Sequence, residues 1–422
     1  MELTFTRRNH TDTDKSKPTT FGIHVSTTPF LPLPDAVFTS RRGGEHEATV
    51  YRTVVLTSIR DIDAARWDEL AGDASVVRSH AYLDAVEQAG INDCRYYYPA
   101  VYNQHDELVA QACVYTISTD FSQLLPARLQ RWVAGLRRLW PRFMSVRITE
   151  CASPMVAGHA LTIRQGEDRA ALLGELEIAI NGIARSAHSG LIVIRDFLGS
   201  EREGVDELLR HGYALRQNMP LARIRVRWKS YDEYLASMRA RYRKDVKRRL
   251  QRAGAHGQTV KTLQQFGEHA ETWAAQSQVV LARAQRFKRE RLGPAYYANM
   301  DRKLGKHSLM LVACREERMV AHGMVLTDAE NTIATFFGRE AGRPSAEWFS
   351  LMNEVIKLGI ERQSRYIHLG LGSYDAKALV GADIEPLYLY CRTRFAPLNW
   401  LIRMVPELMG QRGKAHKQIF RD

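Results

Sequence analysis

Residues 309–394 restrict the fold more than any other part of the chain. Two apolar runs, 309–314 and 319–326, are separated by Arg315-Glu316-Glu317-Arg318. A charged four-residue break between such runs reads as a turn joining two strands. A third strand-like run, 332–338, follows the break Asp328-Ala329-Glu330-Asn331. The chain then passes through Arg339-Glu340-Ala341-Gly342-Arg343-Pro344-Ser345 into a helix. There Phe349, Met352, Val355, Ile356, Gly359 and Ile360 recur at three-to-four spacing and share one face. Pro344 and Ser345 are start signals, with Ser345 read as the N-cap. A strand at 366–369, the segment Gly370-Leu371-Gly372-Ser373-Tyr374-Asp375-Ala376-Lys377 and a last strand near 386–392 follow.

A helix that begins at the carboxyl end of a strand directs unpaired N–H groups and its positive dipole end at one spot. Anions settle at such spots. Arg339 and Arg343 flank this one and read either as phosphate ligands or as solvated loop charges.

The order of elements is repeated upstream. A strand at 97–102, a polar turn at 103–107 and a strand at 108–117 match the later hairpin. The run Leu108-Val109-Ala110 has its counterpart in Met319-Val320-Ala321. A helix marked by Leu172, Leu176, Ile180 and Ile183 precedes a strand at 191–197. A helix at 203–210 then runs into His211-Gly212-Tyr213. Two strand-rich halves of one plan are expected.

The motifs of the second half resemble the GNAT acyltransferases, and more narrowly their FemAB-related branch. That branch carries Gly-x-Gly-x-Tyr-x-x-Lys after the strand that follows the central helix, then a Gly-Ala and an apolar strand. This chain has Gly370, Gly372, Tyr374 and Lys377, then Gly381-Ala382. The resemblance implies an α+β or α/β fold of two tandem GNAT-like domains, mixed central sheets flanked by helices. It places an N-terminal domain at 51–220 and a working domain at 221–396, between a leader at 1–50 and a tail at 397–422. It also implies that an acyl-CoA co-substrate lies against strand 332–338. The backbone of Phe336, Phe337 and Gly338 would pair with pantetheine, and the pyrophosphate would lie near Arg339, Arg343 and Ser345. The family's phosphate loop, Arg/Gln-x-x-Gly-x-Gly/Ala, is present only in degraded form as Arg339-Glu340-Ala341-Gly342-Arg343-Pro344. CoA and another acyl carrier therefore both stay open as donors.

GNAT chemistry is direct attack of an amine on a thioester. It requires a proton acceptor, oxyanion donors and often an acid for the leaving thiolate. His322, in mid-strand beside Gly323, is a base candidate, against a structural role in the strand. Tyr374 can protonate the thiolate or pack over Gly372. Lys377 suits an anionic group or stands as a surface charge. Asp375 and Glu347 are weaker bases, since carboxylates at loop and helix starts usually cap. No Gly-x-Ser-x-Gly elbow or activated cysteine points to a covalent intermediate.

At 422 residues, two domains are the natural expectation. The net charge of +13 favours an acidic partner such as a phosphorylated cofactor, tRNA or an anionic membrane surface. The five cysteines are scattered without paired spacing and no histidine pair has metal spacing, which fits a reducing cytoplasm and no metal. Residues 1–46 lack periodicity and read as a disordered leader. No apolar run reaches about 18 residues, so neither export nor spanning is expected. The stretch 239–252 is a helix with Met238, Tyr242, Val246 and Leu250 on a buried stripe and a broad cationic face. That face suits tRNA backbone or CoA phosphates. The insertion 123–143 interleaves apolar residues with arginines. It reads either as a peripheral membrane contact or as a helix packed on its own domain, and the packed reading is preferred.

Three functions follow. The first is N-acyl transfer from acyl-CoA or an acyl carrier to a small-molecule or peptide amine. The second is aminoacyl transfer from charged tRNA. The third is a non-catalytic, membrane-associated accessory role.

Overall fold

The computed structural model describes residues 36–41, 50–72, 75–255, 257–283, 289–342, 346–393 and 418–420. The first half contributes β1 (Ala36–Arg41), β2 (Val50–Leu56), β3 (Arg95–Tyr102), β4 (Leu108–Ala112), β5 (Val114–Asp120), β6 (Ser145–Cys151), β7 (Leu161–Ile163), β8 (Leu191–Leu198) and β9 (Ala214–Gln217). The second contributes β10 (Leu221–Arg225), β11 (Gln258–Leu263), β12 (Ser308–Arg315), β13 (Arg318–Thr327), β14 (Asn331–Arg339), β15 (Tyr366–Gly370), β16 (Asp383–Glu385) and β17 (Leu387–Thr393). The helices are α1 (Ala64–Ala71), α2 (His80–Glu87), α3 (Ala127–Leu136), α4 (Arg169–Ser186) and α5 (Tyr231–Ser237). They continue as α6 (Ala240–Ala255), α7 (Ala270–Arg283), α8 (Pro294–Leu304), α9 (Glu347–Glu361) and α10 (Tyr374–Ala378).

The strands form two sheets. The first runs β1-β2-β3-β5-β6-β8-β17-β9, with β4 and β7 off its path, and the second runs β11-β12-β13-β14-β15-β10-β16. Each contains one parallel pair joined by a crossover helix: β6 and β8 around α4, β14 and β15 around α9. The expected repeat is therefore present. Strand β5 corresponds to β13, β6 to β14 and β8 to β15.

The last strand departs from expectation. Read as part of the second domain, β17 instead pairs with β8 and β9 in the first sheet. In return β10 inserts between β15 and β16 in the second. The links at which the chain changes sheets carry Pro220 and Pro386, which lack the N–H a continuing ladder would need. The crossing segments also bond to each other, Asn218 N–H donating to the Leu387 carbonyl at 2.8 Å.

Periodicity explains α9 well. Phe349, Met352, Val355, Ile356 and Ile360 are all buried, on a core shared with α5 and the second sheet. Gly359 is required there by close approach, because a Cβ would come within 2.4 Å of the Ile367 side chain. The opposite face of the sheet meets α7, α8 and the first half in one continuous core, from Trp67, Tyr82 and Tyr98 to Trp273, Tyr296 and Met324. Buried polar links cross the same seam: Arg289 pairs with Glu150, Lys303 with Asp84, and Val76 N–H donates to Asp328 at 3.2 Å.

Two boundaries differ from the sequence reading. The leader gives way to β1 at Ala36, paired with β2, before the expected start of order. The helix expected at 203–210 is a short 3-10 turn, Asp206–Leu209. The residues before Ala36 and the apolar tail at 398–409 lie outside the described residues. Of the chain end, Phe420 packs on Trp228 and lies over Gly381, where a Cβ would meet its ring at 2.2 Å.

Replacing Gly359 by Ala should cost about 1–3 kcal/mol in urea unfolding by overpacking α9 against β15. Adding Ile367→Val should recover part of that loss, the coupling expected of residues in contact.

Candidate active site

The site is a fork between the parallel strands of the second sheet. Their register runs Asn331↔Tyr366, Thr332↔Ile367 and Ile333↔His368, and stops there. Strand β15 ends at Gly370, which takes φ +73, while β14 continues to Arg339. Beyond the fork β14 has no described strand partner on its β15 side. On the other side its pairing with β13 shifts register, Val325↔Ala334 being followed by Gly323↔Phe337. Thr335 and Phe336 thus oppose the single residue Met324, which makes a β-bulge. The Thr335 hydroxyl donates to the Met324 carbonyl at 3.0 Å and fixes it.

Phe336, Phe337 and Gly338 lie on this stretch, which is bonded to β13 but has no described strand partner on its β15 side. Phe336 faces the seam, its ring 5.8 Å from that of Tyr296, whereas Phe337 packs toward α9. Gly338 is occupied from β13, where a Cβ would lie 2.1 Å from the His322 ring. Arg339 donates to the Gly342 carbonyl at 2.8 Å, and Arg283 of α7 donates to the same oxygen at 2.8 Å. Two guanidinium groups therefore converge where β14 leaves the sheet. Arg343 and Ser345 lie outside the described residues. The N-cap of α9 is Ala346, not Ser345, and makes no side-chain cap bond. The buried Glu347 occupies the first turn and pairs with Arg315 at 3.0 Å. A carboxylate already answers the dipole where a phosphate was expected.

The sequence candidates separate. His322 is fully buried between α7 and the sheet, its Nδ1 2.8 Å from Gln276 Oε1 and its ring against Trp273 and Tyr297. Burial pulls its pKa down to about 3, so the ring is neutral and enclosed. Tyr374 donates to the Pro220 carbonyl at 2.8 Å and ties α10 to the crossover into β10; burial raises its pKa. Asp375 is exposed at the start of α10.

Lys377 is not the surface charge of one sequence reading. It is buried, donates to the Leu371 carbonyl at 2.9 Å, and desolvation lowers its pKa to about 7. The family motif therefore builds one loop. Gly370, Gly372 and Ser373 take positive φ, and Lys377 clamps the carbonyl between the glycines.

Two features were missed from sequence. His368 sits at the last paired position of the fork. Its neighbour Ile367 packs on α9, so alternation places His368 on the seam face. Its Nε2 is buried with no hydrogen-bond partner among the described residues. Desolvation, with Arg223 adding to it and Glu201 opposing, lowers its pKa to about 4. Arg223, paired with Glu385 at 2.5 Å, stacks 4.2 Å over the neighbouring Tyr366. The clue was available, since alternation within residues 366–369 puts Tyr366 and His368 together opposite the helix.

The second missed feature is a buried ion cluster at the corresponding place in the first sheet. Glu150 of β6 takes Arg195 at 2.9 Å, Arg289 from the other half and the Tyr115 hydroxyl at 2.7 Å. Burial alone would raise the Glu150 pKa, but the Arg289 and Arg195 guanidiniums overcome it and hold the carboxyl well below its usual range. No signal links residues 150, 195 and 289 in the sequence. The first parallel pair, bonded as far as the last residue of β6, thus carries a buried charge cluster, whereas β14 runs on past the end of its pairing with β15.

Paired mixed sheets, each with one parallel pair around a crossover helix, define a tandem GNAT-like fold. A FemAB-like family profile, described as peptidoglycan biosynthesis/recognition, matches residues 58–351. The chain belongs to that family. Among solved structures it is similar to the C-terminal domain of a putative lysylphosphatidylglycerol synthetase from Agrobacterium fabrum. That match has 12% identity and a TM-score of 0.51, and covers 82% of this chain and 96% of the other. FemX is similar at 12% identity and a TM-score of 0.51, covering 81% and 98%. Among curated proteins, a putative 8-amino-7-oxononanoate synthase 2 of Mycobacterium tuberculosis is 24% identical over 326 residues, 75% of this chain. The chain spans 42% of that relative's length.

Burying Lys377 predicts a specific pH dependence. An amine whose pKa is lowered on folding leaves the unfolded chain holding more protons between about pH 7 and its unfolded value. Stability should therefore rise with pH across that window, by up to about 1.4 kcal/mol per unit from this group. In Lys377→Met that rise, measured by urea unfolding between neutral and alkaline pH, should flatten.

Proposed function

We propose that the chain is an acyltransferase that moves an acyl group from acyl-CoA to an amine at the fork between β14 and β15. The carrying observation is the β15-facing edge of β14 from Phe336 to Gly338, which has no strand partner among the described residues and is set off by the bulge at Thr335–Phe336. An extended pantetheine arm carries amide groups that would add to such an edge as a further strand does. Its thioester would then reach the fork beside His368, with the phosphates toward Arg339 and Arg283.

The acceptor amine attacks the thioester carbon and an oxyanion forms. The C–S bond then breaks, and the amine proton passes through a base to the departing thiolate. A general base must be unprotonated at working pH, which for histidine or lysine means neutral. His368 meets that condition at the fork, and Lys377 is near balance between its two forms. His322 is also neutral but enclosed by Trp273 and Tyr297, so His368 takes the role first assigned to it. Tyr374 supports the loop through Pro220.

A second reading, transfer from aminoacyl-tRNA, is favoured by two observations. Glu347 stands in the first turn of α9, where CoA phosphate would otherwise lie. Helix α6 also has a cationic exposed face, with Arg241, Lys244, Lys247 and Arg252 outward while Val246 and Ala253 are buried. The synthase activity of the curated relatives is not carried over, because the chain spans less than half of their length.

Isothermal titration with acetyl-CoA, a long-chain acyl-CoA and bulk aminoacylated tRNA distinguishes the two. The first reading predicts micromolar acyl-CoA binding, weakened about tenfold or more in Arg283→Ala/Arg339→Ala, since each charge-assisted bond contributes about 1.5–3 kcal/mol. Binding to tRNA alone, with steep salt dependence, would replace it by the second.

A further inference from the structure

The connection between β5 and β6 is the largest difference between the two halves. Its counterpart between β13 and β14 is three residues, Asp328, Ala329 and Glu330, whereas residues 121–144 fill the first. Sequence periodicity favoured a helix packed on its own domain, and the structure corrects this. Trp132 is 75% exposed, Leu139 89% and Trp140 65%, with Leu129 and Leu136 about half exposed. Among the α3 residues whose side chains are described, Val133 alone is buried, with 5% of its surface exposed.

The protrusion is nonetheless firmly based. Both terminal nitrogens of Arg137 bond Asp120, at 3.0 and 2.7 Å, and its Nε donates to the Phe143 carbonyl at 3.0 Å. Phe121 N–H donates to the Met144 carbonyl at 2.9 Å. A rigid base therefore presents an uncovered apolar tip. Single exposed apolar residues are ordinary, but five large ones together mark an interaction surface.

Charge selects the occupant. Residues 122–145 contain five arginines and no carboxylate. With Arg137 committed to the base, Arg128, Arg131, Arg138 and Arg142 are exposed, and none makes an ion pair among the described residues. Tryptophan and leucine rimmed by arginine is the composition that settles at an anionic headgroup boundary. A second copy docked isologously would face this unbroken positive charge against itself. No described helix is long and apolar enough to cross a membrane, so the contact is superficial.

We propose that the insertion between β5 and β6 seats the protein on an anionic bilayer surface. Trp132, Leu139 and Trp140 enter the headgroup boundary, while Arg128, Arg131, Arg138 and Arg142 meet lipid phosphates. This contact is independent of the donor used at the fork.

The test is co-sedimentation of the full chain with phosphatidylcholine vesicles, with and without added phosphatidylglycerol. Pelleting should require phosphatidylglycerol and weaken as salt rises. It should fall about tenfold or more in W132S/L139S/W140S, a loss of at least about 1.4 kcal/mol, with Tm unchanged. R128Q/R131Q/R138Q/R142Q should lose the same binding by its other half. Wild-type protein left in the supernatant with phosphatidylglycerol would overturn the proposal. So would a triple variant that pellets like wild type, or a wild-type dimer in ultracentrifugation that the triple variant abolishes.

Discussion

The exchange of β10 and β17 is the constraint on which the rest depends. Each half builds its sheet up to the strand after the parallel pair and then surrenders the next strand to the other half. Neither sheet is complete without the partner half, so the two fold as one body around a shared core. The exchange is held at a single crossing, where Asn218 meets Leu387 and Tyr374 meets Pro220. The motif tyrosine thus acts on the architecture first, fixing the strand that flanks β15 and hence the geometry of the fork.

A parallel pair with one short member creates a vacancy by construction. Strand β15 turns away at Gly370, and β14 beyond it has no described strand partner on that side. In the first sheet β6 instead pairs with β8 as far as its own last residue, Cys151. There Glu150 is buried against Arg195 and Arg289, which pair in turn with Asp196 and Glu290. Such a cluster resists a ligand, since removing one partner would strand a buried charge. In the second sheet the corresponding region holds a neutral histidine, whose Nε2 has no partner among the described residues, and a bulged strand edge.

Local periodicity made much of this legible. The stripe of α9 and the hairpin β12–β13 are short-range patterns that appear as read, whereas the strand read at 108–117 is broken at Cys113 into β4 and β5, which pair onward with β7 and β6. The site was legible only in part. The stretch 336–339 could be placed because a strand before a crossover helix has a defined end. His322 drew notice as a histidine beside a glycine, yet the glycine that matters to its ring is Gly338, across the strand pair. Roles that depend on long-range contact escaped: the partner sheet of β17, the desolvation of Lys377 beneath its own loop, and the meeting of Glu150 with Arg289. The insertion escaped for another reason. An amphipathic pattern marks a face that wants cover, but it does not say whether the protein supplies it.

The central claim is that the β14 edge beyond the fork receives the donor. Hydrogen exchange by mass spectrometry tests it directly, with the full chain free, with acyl-CoA and with aminoacylated tRNA. The account predicts that acyl-CoA slows exchange in peptides covering Phe336 to Arg339, and leaves α6 unchanged. Unaltered exchange on β14 at saturating acyl-CoA, with protection of α6 by tRNA alone, would contradict it.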